Sequence, residues 1–390
     1  MLTDKKKIML IFGGRSSEHE VSLNSAKNIY NAIDKNKFDV LNVGISKTGT
    51  WHLLSKDQLM NSAFLTDEFL DNLSDNASVS GSVIESEDIS ADSLEKNKKS
   101  QVVALISYLS NPVLIELKSQ KQHKVDCVFP IIHGSNGEDG TLQGLFRIVN
   151  VPFVGCDVLG SAICMDKEYA KIIMTAAGVP NTKFLVLNKY LKNDFHDIQK
   201  KLGLPFFIKP ANAGSSVGVH KIKSESDFNI KIQDSFLYDH KVIAEEFIPG
   251  QEIECAVKGS NLNPQASVVG ELVVKHEFYS YEAKYLDAHG ADIVIPARIT
   301  YEQSEQIKKI ALKAYQVLSC DGMARVDFFM QADGKLIVNE INTLPGFTQI
   351  SMYPKMWEAS GLKYSDLISE LINYALIKFD TDSTKKQNYV

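Results

Sequence analysis

The stretch Ala324 to Asn342, ARVDFFMQADGKLIVNEIN, constrains the fold more than any other part of the chain. Asp333-Gly334 is a strong short-range hairpin signal, and the residues on both sides alternate in the manner of half-buried strands. A type I′ loop at these two residues, with no bulge, pairs Ala332 with Lys335 and so sets Asp327 opposite Glu340 and Arg325 opposite Asn342. Side chains two apart on a strand share a face, so all four point the same way. Like charges directly opposite each other destabilise a sheet. A divalent cation would offset that cost, and two carboxylates with one amide are hard oxygen donors of the kind magnesium takes alongside water and phosphate. The other reading is a solvated polar face on an edge hairpin, with Arg325 neutralising the acids. The hairpin alone leaves both open.

At 390 residues the chain has room for two or three domains, and 44% hydrophobic with 23% charged residues is ordinary for a soluble globular protein. The net charge of -6 and the absence of a basic cluster argue against nucleic acid as a partner. The apolar run Ile8 to Phe12 is too short for a signal sequence and reads as a first strand. No apolar stretch reaches membrane-spanning length. Five cysteines, Cys127, Cys156, Cys164, Cys255 and Cys320, are scattered and form no CxxC pair, which fits buried thiols of a reducing, cytosolic compartment better than disulfides or zinc ligands.

Apolar runs at Ile8-Phe12, Val40-Ile45, Val102-Ile106 and Val125-Ile131 suggest an α/β amino-terminal domain around a parallel sheet. The Ser-, Asp-, Glu- and Asn-rich residues Asp67 to Ser100 read as a surface insertion. A helix is expected from Asp166 to Ala177, and strands at Leu204-Lys209 and Lys241-Phe247. Thr300 opens a capping box for a helix that leads into the hairpin. The residues from Asp380 read as a frayed tail.

If magnesium binds the hairpin, phosphates must arrive nearby. Lys209 closes an apolar strand, FFIKP, and Lys167 sits in the first turn of its helix, where the dipole disfavours a cation unless both serve one anion. Each also reads as a snorkelling surface lysine. Ala213 to Gly218, AGSSVG, can wrap backbone N–H groups around phosphate oxygens as a lid that includes Ser215 and Ser216, or serve as a plain hairpin connection. In VIAEEFI, Glu245 and Glu246, with the nearby Glu252 and Glu254, could accept ribose hydroxyls while Phe247 and Ile248 pack on a base. They read equally well as a solvated strand face.

In combination, the strand-end lysine, the Ser/Gly lid, the EEFI strand and the Asp327/Glu340/Asn342 set resemble the ATP-grasp fold. Further motifs resemble the D-alanine:D-alanine ligases: GGRSSEHEVS from Gly13, HGSNGEDGTLQG from His133, EFYSYEAKYLD from Glu277 and NEINTLPGFT from Asn339. The likeness implies a mixed α/β chain with a Rossmann-like amino-terminal domain over 1–160, a central ATP-grasp lobe over 161–250 and a carboxy-terminal lobe carrying the metal site over 251–380. It also implies ATP-dependent joining of two D-alanines through an acylphosphate for peptidoglycan synthesis, with two Mg2+ or Mn2+ ions, in a cytoplasmic homodimer.

Residue by residue, the resemblance gives Glu18, Ser215 and Tyr285 as a hydrogen-bonded catalytic set and Lys284 as a phosphate contact. Arg325 and the backbone of Gly346 would meet developing negative charge. His133 would position substrate, or be a structural histidine at a strand end. Ser351 and the backbone of Met352 fall where the family binds the second substrate's carboxylate, although many relatives carry leucine at the latter position. Tyr285 favours an amine as second nucleophile over D-lactate, whose ligases tend to carry phenylalanine or histidine there. A D-lactate-specific or other ATP-grasp carboxylate:amine ligase is the nearest alternative. A regulator that binds nucleotide without catalysis would not need the whole residue set. A dinucleotide oxidoreductase lacks the third spaced glycine.

Overall fold

The computed structural model describes residues 5–61, 101–274 and 291–384. The polar segment from Asp67 to Ser100 and the motif bearing Lys284 and Tyr285 lie outside them.

The first apolar run forms β1 (Lys6–Gly13), which pairs in parallel with β2 (Phe38–Ile45) on one side and β7 (Cys127–Ile131) on the other. Strands covered on both faces read as unbroken apolar runs, and Ile8 to Phe12 are almost wholly buried. The expected all-parallel sheet is nevertheless incorrect. Beyond β2 come β3 (Trp51–Leu54), β4 (Gln101–Tyr108), β5 (Asn111–Glu116) and β6 (Gln122–Lys124), each antiparallel to its neighbour, in a seven-stranded order β6-β5-β4-β3-β2-β1-β7. The reason is local: Leu109 and Ser110 both take positive φ, 49° and 63°, making the two-residue turn that returns the chain directly from β4 to β5. Neither residue type advertises such a turn.

A four-stranded sheet follows, in the order β10 (His220–Ile222), β9 (Phe206–Pro210), β11 (Lys241–Glu246), β8 (Phe184–Asn188). A five-stranded sheet runs β14 (Ala291–Val294), β13 (Gln265–Val274), β12 (Gln251–Gly259), β15 (Gly322–Met330), β16 (Leu336–Asn342). Two amino-terminal helices among the described residues are α1 (His19–Ala32) and α2 (Lys56–Met60). Next come α3 (Thr141–Val149), α4 (Val158–Met165) and α5 (Lys167–Ala176); Asp166 caps α5, its carboxylate accepting from the Glu168 backbone N–H at 3.0 Å. In the central lobe, α6 (Phe195–Leu202) and α7 (Glu225–Tyr238) cover the four-stranded sheet. The capping box at Thr300 is present, opening α8 (Tyr301–Val317), which packs on the five-stranded sheet.

The last two helices, α9 (Met352–Ala359) and α10 (Tyr364–Ser383), return to the start of the chain. Phe347, Tyr353 and Leu371 share one core with Ile8, Leu10 and Phe129, so the carboxy-terminal end of the chain seals one face of the amino-terminal sheet. Among the described residues no helix is long and apolar enough to cross a membrane.

The hairpin β15–β16 reaches the expected pairs by an unexpected route. Its loop has three residues, Ala332 to Gly334, because Gln331 donates to the Lys335 carbonyl and Gly334 to the Gln331 carbonyl, both at 2.9 Å. Gly334 supplies the positive φ of 84° that closes such a loop. The longer loop slips the register by one, so Phe328 faces Val338. A bulge at Asn339 then slips it back, and Asp327 faces Glu340 while Arg325 faces Asn342. The assumption of a bulge-free two-residue loop is therefore incorrect twice over, and the two departures cancel. The bulged edge strand is covered rather than open: Val338 N donates to Pro180 O at 2.8 Å.

Candidate active site

Pairing extends the hairpin's acidic row by one strand. Glu254 of β12 stands opposite Asp327, so Glu254, Asp327 and Glu340 lie in line across three adjacent strands. One guanidinium offsets them. Arg325 grips Asp327 with both arms, Nε to Oδ1 at 2.7 Å and Nη2 to Oδ2 at 2.6 Å, and its Nε lies 3.0 Å from Glu254 Oε2. Burial works against the charge of Arg325, but Asp327, Glu254 and Glu340 hold its pKa well above the ordinary arginine value. Asn342 donates to Asp327 Oδ2 at 2.9 Å. Three carboxylates in one row, with the Asn342 amide beside them, are hard oxygen donors of the kind that fits a divalent cation accompanied by phosphates. Among the described residues no three His, Cys, Asp or Glu side chains already form a metal cage. Arg325 is thus not segregated from the acids, as the division of roles drawn from the sequence expects; it is their counter-ion.

Lys209 ends β9 facing this row. Its Nζ donates to Glu245 Oε2 at 3.0 Å and to Asn339 Oδ1 at 3.2 Å. Burial opposes its charge, yet Glu245 and Glu340 raise its pKa above the usual lysine value. Glu245 is not the exposed ribose acceptor of the sequence reading. It is 2% exposed and shared between Lys209 and Lys171, whose Nζ lies 3.2 Å from Glu245 Oε1. Burial alone would push the Glu245 carboxyl up; the two lysines bring it down to about 2. Sequence reasoning took Glu254 for a ribose acceptor and missed its place in the acidic row, and it missed Lys171 altogether. Alternation along EIEC could have flagged the first, whereas Lys171, one turn beyond Lys167 on an amphipathic helix, looks like any polar-face lysine.

The remaining acids of this strand divide. Glu246 accepts from the Lys183 backbone N–H at 2.8 Å, and Glu252 lines a cavity of about 440 Å³ between the four- and five-stranded sheets. Phe247 and Ile248 border the same cavity, with Lys221 Nζ 4.4 Å above the Phe247 ring. Lys167, Lys209, Ser215, Ser216, Arg325, Asp327 and Glu340 also face it. Lys167 is fixed at both ends, its backbone N–H to Ala211 O at 3.1 Å and its Nζ to Ala213 O at 2.6 Å. Ser215 and Ser216 are held at φ 52° and 58°, left-handed values that cost energy for a residue with a Cβ and that turn the loop over the cavity mouth.

A second, smaller cavity of about 110 Å³ adjoins the first, sharing Lys167, Ala213 to Ser215, Arg325 and Glu340 as a common wall. Glu18 opens α1 but makes no side-chain cap; its carboxylate turns into this cavity, 3.0 Å from where a Cβ on Gly214 would sit. Glu18 and Ser215 are therefore brought to one pocket, while Tyr285 lies outside the described residues. Glu138, not singled out from the sequence, is half-buried near Glu18, and desolvation with that neighbouring charge raises its pKa well above the carboxylate range.

His133 does not offer a ring nitrogen to the cavity. Nδ1 donates to Leu344 O at 3.0 Å, which leaves Nε2 to accept from Ser25 Oγ at 3.3 Å, and the Phe347 N–H donates to that same oxygen at 3.3 Å. Burial lowers its pKa, so the ring is neutral. The alternative of a structural histidine is the one its contacts favour: it ties the loop after β16 to α1. That loop carries Gly346, where a Cβ would stand 2.7 Å from Ser351 Oγ, so only glycine lets Ser351 approach. Ser351 occupies the N-cap of α9 without capping it, accepting instead from Thr348 N at 2.9 Å, and Met352 buries its side chain and supplies the first backbone N–H of the helix.

The comparisons with known proteins agree with this architecture. Residues 7–156 match the family model for the D-ala D-ala ligase N-terminus and residues 173–373 that for the C-terminus. A D-alanine–D-alanine ligase of Shouchella clausii is 48% identical over 387 residues, covering 98% of each protein. Among solved structures, the D-alanine-D-alanine ligase from Coxiella burnetii superposes with a TM-score of 0.77 at 35% identity, covering 97% of each chain. The VanG D-Ala:D-Ser ligase of Enterococcus faecalis gives 0.80 at 35% identity, covering 95% of this chain and all of that one. Full-length identity at this level, on a fold whose two cavities meet at a carboxylate-lined wall, makes the chain a member of the D-alanine–D-alanine ligase family.

Proposed function

We propose that the chain is an ATP-dependent ligase that joins two D-alanines into D-alanyl-D-alanine, a peptidoglycan precursor, releasing ADP and phosphate. The observation that carries this reading is the shared wall of the two cavities. A nucleotide in the larger one would direct its terminal phosphate at an amino acid held in the smaller one, with Arg325 at the boundary.

In this mechanism Phe247 and Ile248 flank the base, Glu252 faces the ribose, and Lys167 and Lys209 with the Ser215-Ser216 turn hold the phosphates. Asp327, Glu340 and Asn342 would hold Mg2+ or Mn2+, which when bound neutralises phosphate charge. The carboxylate of the first D-alanine attacks the terminal phosphorus in line, the bond to the ADP oxygen breaks, and an acylphosphate results. Glu18 serves as counter-ion to that substrate's ammonium. The second D-alanine places its carboxylate at Ser351 and the start of α9, where unpaired N–H groups and the helix dipole favour an anion. Its amine, once deprotonated, adds to the acylphosphate carbonyl. Arg325 and the Gly346 N–H stabilise the resulting oxyanion, and phosphate leaves.

The deciding assay is phosphate release with ATP, magnesium and D-alanine, run against L-alanine and D-lactate. Stimulation by D-alanine with dipeptide formed is the expected result. Turnover with D-lactate at equal or greater efficiency would move the assignment to the depsipeptide-forming alternative. The family resemblance also supports a cytoplasmic homodimer, which light scattering of the purified protein checks.

A further inference from the structure

The buried cluster behind Lys209 has a member that no part of the proposed mechanism uses. Lys171 is 1% exposed, lies on α5, and borders neither cavity. It nevertheless touches the same two residues as Lys209. Glu245 gives Oε1 to Lys171 at 3.2 Å and Oε2 to Lys209 at 3.0 Å. Asn339 gives its backbone carbonyl to Lys171 at 3.4 Å and its side-chain carbonyl to Lys209 at 3.2 Å. Thr182 Oγ1, at 2.7 Å, completes the Lys171 shell.

A buried carboxylate with one counter-ion holds it tightly, because stripping the partner leaves an uncompensated charge that costs several kcal/mol. With Glu245 as its sole partner, Lys209 would be trapped there. A second, permanently seated ammonium changes the balance. We infer that Lys171 is a positioning residue: it stays on Glu245 as the resident counter-ion, so that Lys209 is free to turn from Glu245 and Asn339 to the phosphates of ATP. The two lysines differ in the way this division requires, since Lys209 reaches the cavity and Lys171 is sealed behind it. Lys171 also takes the carbonyl of the bulged residue Asn339, which holds the edge strand still while Lys209 moves. This inference rests on the reading of Lys209 as a phosphate ligand.

The test is a double-mutant cycle on the full chain, read by equilibrium binding of ATP and by steady-state kinetics. Lys171→Met is expected to raise KM and Kd for ATP by about tenfold or more, with kcat changed by less than about threefold. Lys171→Met combined with Glu245→Gln should bind ATP as well as Glu245→Gln alone, because the charge needing a resident partner is gone. A structural role would make the two losses additive or leave the double variant the weaker. Should Lys171→Met fail to fold, the comparison of Lys171→Arg with the double variant decides: retained ATP affinity in both supports the inference, and loss in both overturns it. Lys209→Met separates the two readings. If wild type binds ATP and Lys209→Met does not, while Lys171→Met is unaffected, only the role of Lys171 falls. If Lys209→Met binds ATP normally, the phosphate reading of Lys209 falls with it.

Discussion

Arg325 shows how far single residues decide this site. It is the sole guanidinium against the Glu254-Asp327-Glu340 row, and its forked geometry meets both oxygens of Asp327. A lysine cannot reproduce two parallel bonds to one carboxylate. Arg325→Met is expected to lower kcat by at least about 100-fold, the scale of losing one oxyanion donor, as measured by ADP release at saturating ATP and D-alanine. Glu340→Gln keeps the volume and removes one hard charge. It should abolish magnesium-dependent phosphate release with the thermal transition preserved, and undiminished turnover would remove Glu340 from the proposed metal set. At this scale the sequence was legible where a residue type was out of place in its setting: an acid opposite an acid, a lysine closing an apolar strand. It was illegible where partners come from distant segments. Glu245 looks like a solvated strand residue until the fold brings Lys171 and Lys209 to its two oxygens.

The bulge in β16 is the element on which the acidic row depends. Side chains alternate across a strand, so one residue more or fewer turns everything beyond it to the other face. The three-residue loop alone would have set Asp327 opposite Asn339 and sent Glu340 to the far side. Inserting one alanine after Asn339 should therefore reverse the facing of Glu340 and Asn342 and reduce phosphate release below detection. Asn339→Ala keeps the residue count and should retain the register. It loses a bond that Lys209 gives up on turning to the phosphates, so its expected signature is a KM for ATP unchanged or lowered by a few-fold, with kcat nearly preserved. Equal inactivity of the two variants would show that the amide, not the register, is what matters. The pairing of acids was readable from alternation, but not the route to it. Neither the loop length nor the bulge leaves a mark that Asp-Gly and the flanking apolar residues do not share with a simple two-residue turn.

Across the whole molecule, the site exists because the chain's last third returns to its first. Residues 344–347 pack between α1 and the first sheet, and His133 pins them through Leu344 O and Ser25 Oγ. Family motifs made the ATP-grasp lobes and the Rossmann-like start legible, but this closure was not, since it depends on contacts between residues some 200 positions apart. It has a consequence in acid. Burial holds the His133 pKa below its ordinary value of about 6.5, so the unfolded chain takes up a proton there before the folded one does. Stability from the neutral ring is complete above about 6.5 and is lost as pH falls toward the lowered folded value. Glu138, nearby, has a raised pKa, so its contribution has the opposite sign, present in acid and lost as pH rises. Glu245, down at about 2, begins to matter only below the ordinary glutamate value of about 4.3. Between pH 6.5 and 5 the fall in Tm should thus come largely from His133. His133→Asn, which can still donate to Leu344 O but cannot titrate, should lower Tm at neutral pH and flatten its slope across that window. Parallel slopes for variant and wild type would mean that acid opens the molecule somewhere other than this clamp.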